Sequence, residues 1–212
     1  WRSGHTEAWT AIDRHLMTRQ QRVELARQVE AATRERMAEQ RRRWADNGKR
    51  IAQIWARCKP LVPGDAITLY LKHRGLGGVW PLSQCLRHHP ALPYWHEGRE
   101  LGTYAAMVAP LTAPDGRVVA LHRTYLTCDG RKAPVPTVKK LTGAAGPLTG
   151  ASIALCKPER GVLGIAEGIE TALAAWCASG VPTAAAYCAG SLAAFQWPPS
   201  VQRLVIFADH DK

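Results

Sequence analysis

The stretch Val162-Leu163-Gly164-Ile165-Ala166-Glu167-Gly168-Ile169-Glu170, answered forty residues later by Leu204-Val205-Ile206-Phe207-Ala208-Asp209-His210-Asp211, decides the fold of this chain. Each phrase opens with an uninterrupted apolar run of about five residues, the pattern of a strand buried on both faces of a parallel sheet. Between them Ile169, Leu173, Trp176 and Cys177 recur at helical spacing, and Gly180 is placed to stop that helix. A middle strand is expected over residues 182–188, then a short helix with Ser191 as N-cap. The order β-α-β-α-β implies right-handed parallel crossovers.

In such sheets ligands bind outside the carboxyl ends of the strands. Residues 161–212 contain four acids, Glu167, Glu170, Asp209 and Asp211, and all four fall in the two phrases. The period-two geometry of a strand puts Asp209 and Asp211 on one side, with His210 pointing away. Glu167, Asp209 and Asp211 converging at roughly 5 Å would repel by about 3 kcal/mol per pair at an effective dielectric near 20. A hard divalent cation, Mg²⁺ or Mn²⁺, resolves that conflict and takes substrate phosphates as further ligands. The expected chemistry is phosphoryl transfer.

A strand ending in Glu-Gly, a helix, and a later strand ending in Asp-x-Asp resemble the Toprim domain of topoisomerases, bacterial-type primases and some nucleases. The phrase from Glu167 to Leu173 is most similar to the primases of phages, plasmids and integrated elements. The resemblance implies that Glu167 is the catalytic acid and that Asp209 and Asp211 complete the metal site. It also implies single-stranded DNA as template, ribonucleoside triphosphates as substrates and a replicative helicase as a further partner. An Asp-x-Asp alone is usually a solvated turn and a Glu-Gly alone carries no signal; both, in this order at buried strand ends, carry the reading.

The net charge of +11 on 212 residues is uneven. Residues 1–60 carry an excess of +7 and residues 61–160 of +6, whereas residues 161–212 carry −2. A cationic front beside a carboxylate site suggests a polyanion laid across one and processed at the other. Six cysteines show no CxxC pair and no zinc spacing, which fits a reducing cytoplasm. Residues 171–202 are uncharged, but Gly180-Val181-Pro182 and Pro198-Pro199 argue against a membrane span. No signal peptide is evident. The chain starts without Met and stops just past Asp211, so it reads as a fragment with a truncated Toprim domain.

The expected fold class is α+β with a C-terminal α/β part, in three segments. Residues 1–60 form a helical N-terminal region, helical from about Ile12, broken at Asp46-Asn47-Gly48 and resumed by Ile51, Ile54 and Trp55. Residues 61–150 form a small basic subdomain. In it Asp65 caps a short helix closed at Gly75, and Pro114-Asp115-Gly116 turns an antiparallel hairpin. His88, His89 and His96 read as exposed loop histidines. Residues 143–150 read as a glycine-rich linker without a P-loop motif. Residues 151–212 form the partial Toprim domain with its parallel sheet. The segments Tyr70 to Leu76, His122 to Leu126 and Gly130 to Ala133 also resemble the primase pattern. That resemblance makes Arg123, Lys132, Lys139 and Lys140, with Lys72 and Arg74, candidates for holding nucleic acid or nucleotide. The alternatives are a Toprim nuclease that uses the same acids with water, and a non-catalytic nucleic-acid-binding module.

Overall fold

The computed structural model describes residues 18–77 and 85–208. Asp209 and Asp211 therefore lie outside the described residues, as does the expected start of the first helix at Ile12. The chain divides into two compact units, Trp1–Arg42 and Arg43–Lys212. The first consists, where described, of the leading part of helix α1 (Arg19–Ala56). Thr18 and Gln21 form a reciprocal capping box at its start, each side chain bonding the other's backbone N–H. Along this part Val23, Val29 and Met37 are exposed, and Arg34 pairs with Glu30 one turn away.

In the second unit α1 runs straight through Asp46-Asn47-Gly48, where the sequence predicts a break. A tertiary contact overrides the local preference: the Asn47 amide donates to Ala144 O at 2.8 Å. Strand β1 (Lys59–Pro60) follows, then α2 (Ala66–His73), capped by the Asp65 carboxylate on Thr68 N at 2.8 Å as expected. Next come β2 (Arg87–His96), β3 (Arg99–Thr112), β4 (Val118–Leu126) and β5 (Lys139–Leu141). With β1 they make an antiparallel sheet in the order β1-β2-β3-β4-β5. His88, His89 and His96 thus belong to a strand rather than a loop, and His89 is buried.

The two faces of this sheet bury different partners. Ala106, Val108, Leu121 and Tyr125 face the end of α1, packing with Ile51 and Cys58. Met107, Ala109, Leu111, Ala120 and Leu126 face the other way, onto α2 and the remaining chain. This is period-two alternation with both faces covered.

The C-terminal part is β6 (Val162–Ala166), α3 (Ile169–Ser179), β7 (Thr183–Ala185), α4 (Ala189–Ala193) and β8 (Arg203–Phe207). Its sheet is parallel, ordered β7-β6-β8. The fold class is the expected one: an N-terminal helix, an antiparallel sheet and a C-terminal α/β part with a parallel sheet. Details differ. Cys188, not Ser191, occupies the N-cap of α4. Central β6 is buried, whereas edge strand β8 leaves Ile206 62 % exposed. An apolar run cannot tell a central strand from an edge one.

Residues 143–150 are packed chain, not a loose linker. Ala145 N donates to Val119 O at 2.7 Å, and a Cβ on Gly143 would stand 2.7 Å from the Asn47 amide. Beyond it, residues 151–155 bond to both sheets. Ser152 pairs with Thr112 of the first, and Ile153 with Ala185 of the second. Ala151, Ile153 and Leu155 are buried in the core shared by α2, β3, β4, β6 and α3.

The turn at Gly130 fixes α2 against the sheet. Its φ is +76°, and a Cβ there would meet Tyr70 N at 2.6 Å and the Leu69 carbonyl carbon at 2.8 Å. Both conditions demand glycine: the left-handed conformation and the approach of a helix backbone. Gly130→Ala is expected to destabilise the protein by about 2 kcal/mol or more. A urea denaturation midpoint equal to wild type would contradict this packing.

Candidate functional site

Glu167 stands half-buried at the carboxyl end of β6, one residue before Gly168, the N-cap of α3. Strand β8 runs parallel to β6 with Ala166 opposite Phe207, so the two strands end at the same edge of the sheet. Ala208 is the last described residue beyond β8. Among the described residues no group of three His, Cys, Asp or Glu side chains converges to hold a metal. Among the described residues Glu167 is the carboxylate at that edge, a hard oxygen donor of the kind that fits Mg²⁺ or Mn²⁺.

In the first turn of α3 the second acid of the phrase does something else. Glu170 is 8 % exposed. Its Oε1 accepts from Tyr70 Oη at 2.6 Å and its Oε2 from Lys139 Nζ at 2.8 Å. The three residues come from α3, α2 and β5, so one carboxylate ties together three elements distant in sequence. Burial alone would raise the pKa of Glu170. The Lys139 ammonium, with the hydrogen bonds from Lys139 and Tyr70, outweighs that and holds the carboxyl below its usual range. Tyr70 is pushed up, first by burial and then by its bond to Glu170.

Beside this pair His122 is buried on the same face of β4, its Nδ1 without a protein partner. Burial first, then the Lys139 charge, lowers its pKa to about 4, so it is neutral at pH 7.

The basic candidates divide among four places. Arg74 and Lys132 line a shallow pocket of about 390 Å³ with Tyr70, His73 and Arg131, around the Gly130 turn. Lys72 is exposed on the last turn of α2. Lys139 is engaged by Glu170, its side chain 43 % exposed. Arg123 and Lys140 are directly paired across β4 and β5 and point to the opposite face. There Arg123 donates to Leu141 O at 2.6 Å and Tyr125 Oη at 3.1 Å, while Lys140 lies over the Tyr94 ring and bonds Trp95 O. Sequence reasoning missed Tyr70, His122 and the role of Glu170. The available signal was the phrase Glu167-x-x-Glu170, in which Glu167 directly follows the apolar strand run and Glu170 falls inside the helix after it, so the two acids need not share a task.

Two family models match the chain in consecutive blocks. A family model described as a domain of unknown function (DUF7146) matches residues 45–153, just over half of the chain. The chain belongs to that family. Residues 162–212 match the model of the Toprim domain. Two solved structures are similar at low identity. One is the RNA polymerase domain of Mycobacterium tuberculosis primase DnaG: 14 % identity, TM-score 0.35, covering 57 % of this chain and 44 % of that one. The other is the Aquifex aeolicus primase, zinc binding and RNA polymerase domains: 16 % identity, TM-score 0.35, covering 58 % of this chain and 32 % of that one. The chain spans less than half the length of either. No curated protein matches it. No helix among the described residues is long and apolar enough to cross a membrane.

The depressed histidine makes stability depend on acidity. Below about pH 6.5 the unfolded chain protonates His122 while the folded one, with its pKa near 4, does not. Stability is therefore full above about pH 6.5 and falls as pH drops towards 4, by roughly 3 kcal/mol. Glu170, also depressed, adds its loss only at lower pH, as its folded carboxyl finally protonates. Urea melts at a series of pH values check this. His122→Gln is expected to flatten the upper part of the profile.

Proposed function

We propose that this chain is part of a metal-dependent DNA primase of the phage, plasmid or mobile-element type, making short RNA primers on single-stranded DNA. The observation that carries the reading is Glu167. It stands at the carboxyl end of a buried parallel strand and directly before a helix, inside the segment that matches the Toprim model. Asp209 and Asp211, following β8, are proposed to complete the metal-binding set. Bound Mg²⁺ or Mn²⁺ would supply charge neutralisation at the transferring phosphoryl group. Glu167 would hold the cation, and the uncapped first N–H groups of α3 face the same edge as donors to phosphate oxygens.

The basic residues on the α2 side, Lys72, Arg74 and Lys132, are proposed to carry template or nucleotide phosphates. Lys139 joins them through the exposed part of its side chain while Glu170 fixes its position. The strongly basic balance of the chain outside residues 161–212 supports a polyanionic partner. Ribonucleoside triphosphates are the proposed substrates, a replicative helicase is a proposed partner and the cytoplasm is the proposed compartment.

Purified intact protein, given single-stranded DNA, ribonucleotides and Mg²⁺, is expected to make short RNA chains without a primer. Glu167→Gln should abolish that synthesis and leave the urea midpoint near wild type. Full activity in the variant sinks the site assignment, and cutting of the DNA without ribonucleotide incorporation replaces the primase with a nuclease.

The phosphate role of the α2 side has its own test. Replacing Arg74 and Lys132 together by Ala should weaken binding equally for all template sequences. It should also lower the slope of log affinity against log salt by about 1.4, near 0.7 for each phosphate no longer neutralised. An unchanged slope would reduce these residues to surface charge.

A further inference from the structure

The end of α1, strands β2 and β4 and residues 142–143 line a cleft of about 420 Å³ on the sheet face away from α2 and α3. Three guanidinium groups line it: Arg50 from α1, Arg57 just past the end of that helix, and Arg123 from β4. Arg50 and Arg57 are seven residues apart, about two helical turns, so their stems are spaced by roughly 10 Å along the axis. None of the three forms an ion pair with a carboxylate among the described residues.

Arg123 is the informative one. Its bonds go to two neutral acceptors, Leu141 O and Tyr125 Oη, and its Nε–H is buried with no acceptor at all. Removing a cation from water without a counter-charge costs free energy. On the neighbouring strand the opposite arrangement holds: Lys139, facing the other way, has Glu170 built in as its counterion. The protein neutralises one of these cations itself and leaves the other, with Arg50 and Arg57 beside it, to be neutralised from outside.

The cleft also carries a flat apolar surface. Trp95 lines it and is 54 % exposed, with Leu92 and Ile54 nearby. An inorganic anion has no use for an exposed indole. A nucleotide uses both features, its phosphate on the guanidinium groups and its base against the ring. We propose that this cleft binds a nucleotide unit, with phosphate held by Arg50, Arg57 and Arg123 and the base stacked on Trp95, at a site distinct from Glu167. The anion half of this assignment rests on the cleft alone; the choice of a nucleotide also rests on the nucleic-acid function proposed above. The unit is either a free nucleotide or one residue of a single strand.

Binding is measured on the purified protein in EDTA, so that no metal site contributes, with ATP and with labelled oligodeoxythymidylate as probes. Wild type is expected to bind at least one. Arg50→Ala with Arg57→Ala, both exposed positions, should weaken that probe tenfold or more. For the strand it should also flatten the salt slope by about 1.4. Trp95→Ala should weaken it about tenfold. Glu167→Gln should bind as wild type does even where it has lost synthesis, which separates failure of this site from failure of the metal reading. Response to ATP alone assigns a free nucleotide, and response to the oligonucleotide assigns a strand. No binding by wild type, or wild-type affinity in the arginine double variant, overturns the site. Loss in the arginine variant with none in Trp95→Ala overturns the nucleotide.

Discussion

Much of the second unit is held in place by one buried carboxylate. Glu170 sits in the first turn of α3, receives a phenol from α2 and receives an ammonium from β5. None of these elements is adjacent to another in sequence. A desolvated carboxylate is tolerated only because two donors meet it, one of them charged. The apolar core around it is permissive about exact packing, but this trio is not, because hydrogen bonds fail over a few tenths of an ångström. Where α3 lies therefore depends on where Lys139 and Tyr70 lie. Glu167, three residues before Glu170, inherits that position.

The same pair explains why two acids in one short phrase have different lives. Glu167 stands half-buried at a strand end with no ion pair to a described cation. Glu170 has turned inward and spent its charge inside the fold. A family resemblance in the phrase draws attention to both acids. Only the third dimension separates an acid left at the strand end from one that organises the chain around it.

Much of the architecture was legible because it rests on periodicity. The β-α-β-α-β order of the last quarter, the Asp65 cap and the Pro114-Asp115-Gly116 hairpin all follow local rules, and the structure has them. What escaped was set by partners distant in sequence. Asp46-Asn47-Gly48 ought to end a helix, yet Asn47 reaches Ala144 and the helix continues. Three histidines and two prolines disguised a ten-residue strand that is sustained by pairing with β3. The position of Glu167 at a strand end was legible from the apolar run before it. The pairing of Lys139 with a carboxylate, and the turning of Arg123 to the far face, depend on strand register, which no single sequence states.

That register has a genetic consequence. Lys139 and Lys140 are neighbours in the chain but serve opposite faces of the sheet, one at Glu170 and the other at Tyr94. The connection between β4 and β5, residues 127–138, can change length in a natural relative only if β5 still docks with the same parity. A slip by one position would put Lys140 where Lys139 was and still present an ammonium to Glu170, but it would carry Leu141 across the sheet as well. Two successive lysines therefore make the carboxylate's partner tolerant of such a slip, while the leucine beside them makes the sheet intolerant of it. Insertions and deletions in this loop should be filtered by the leucine rather than by the charge.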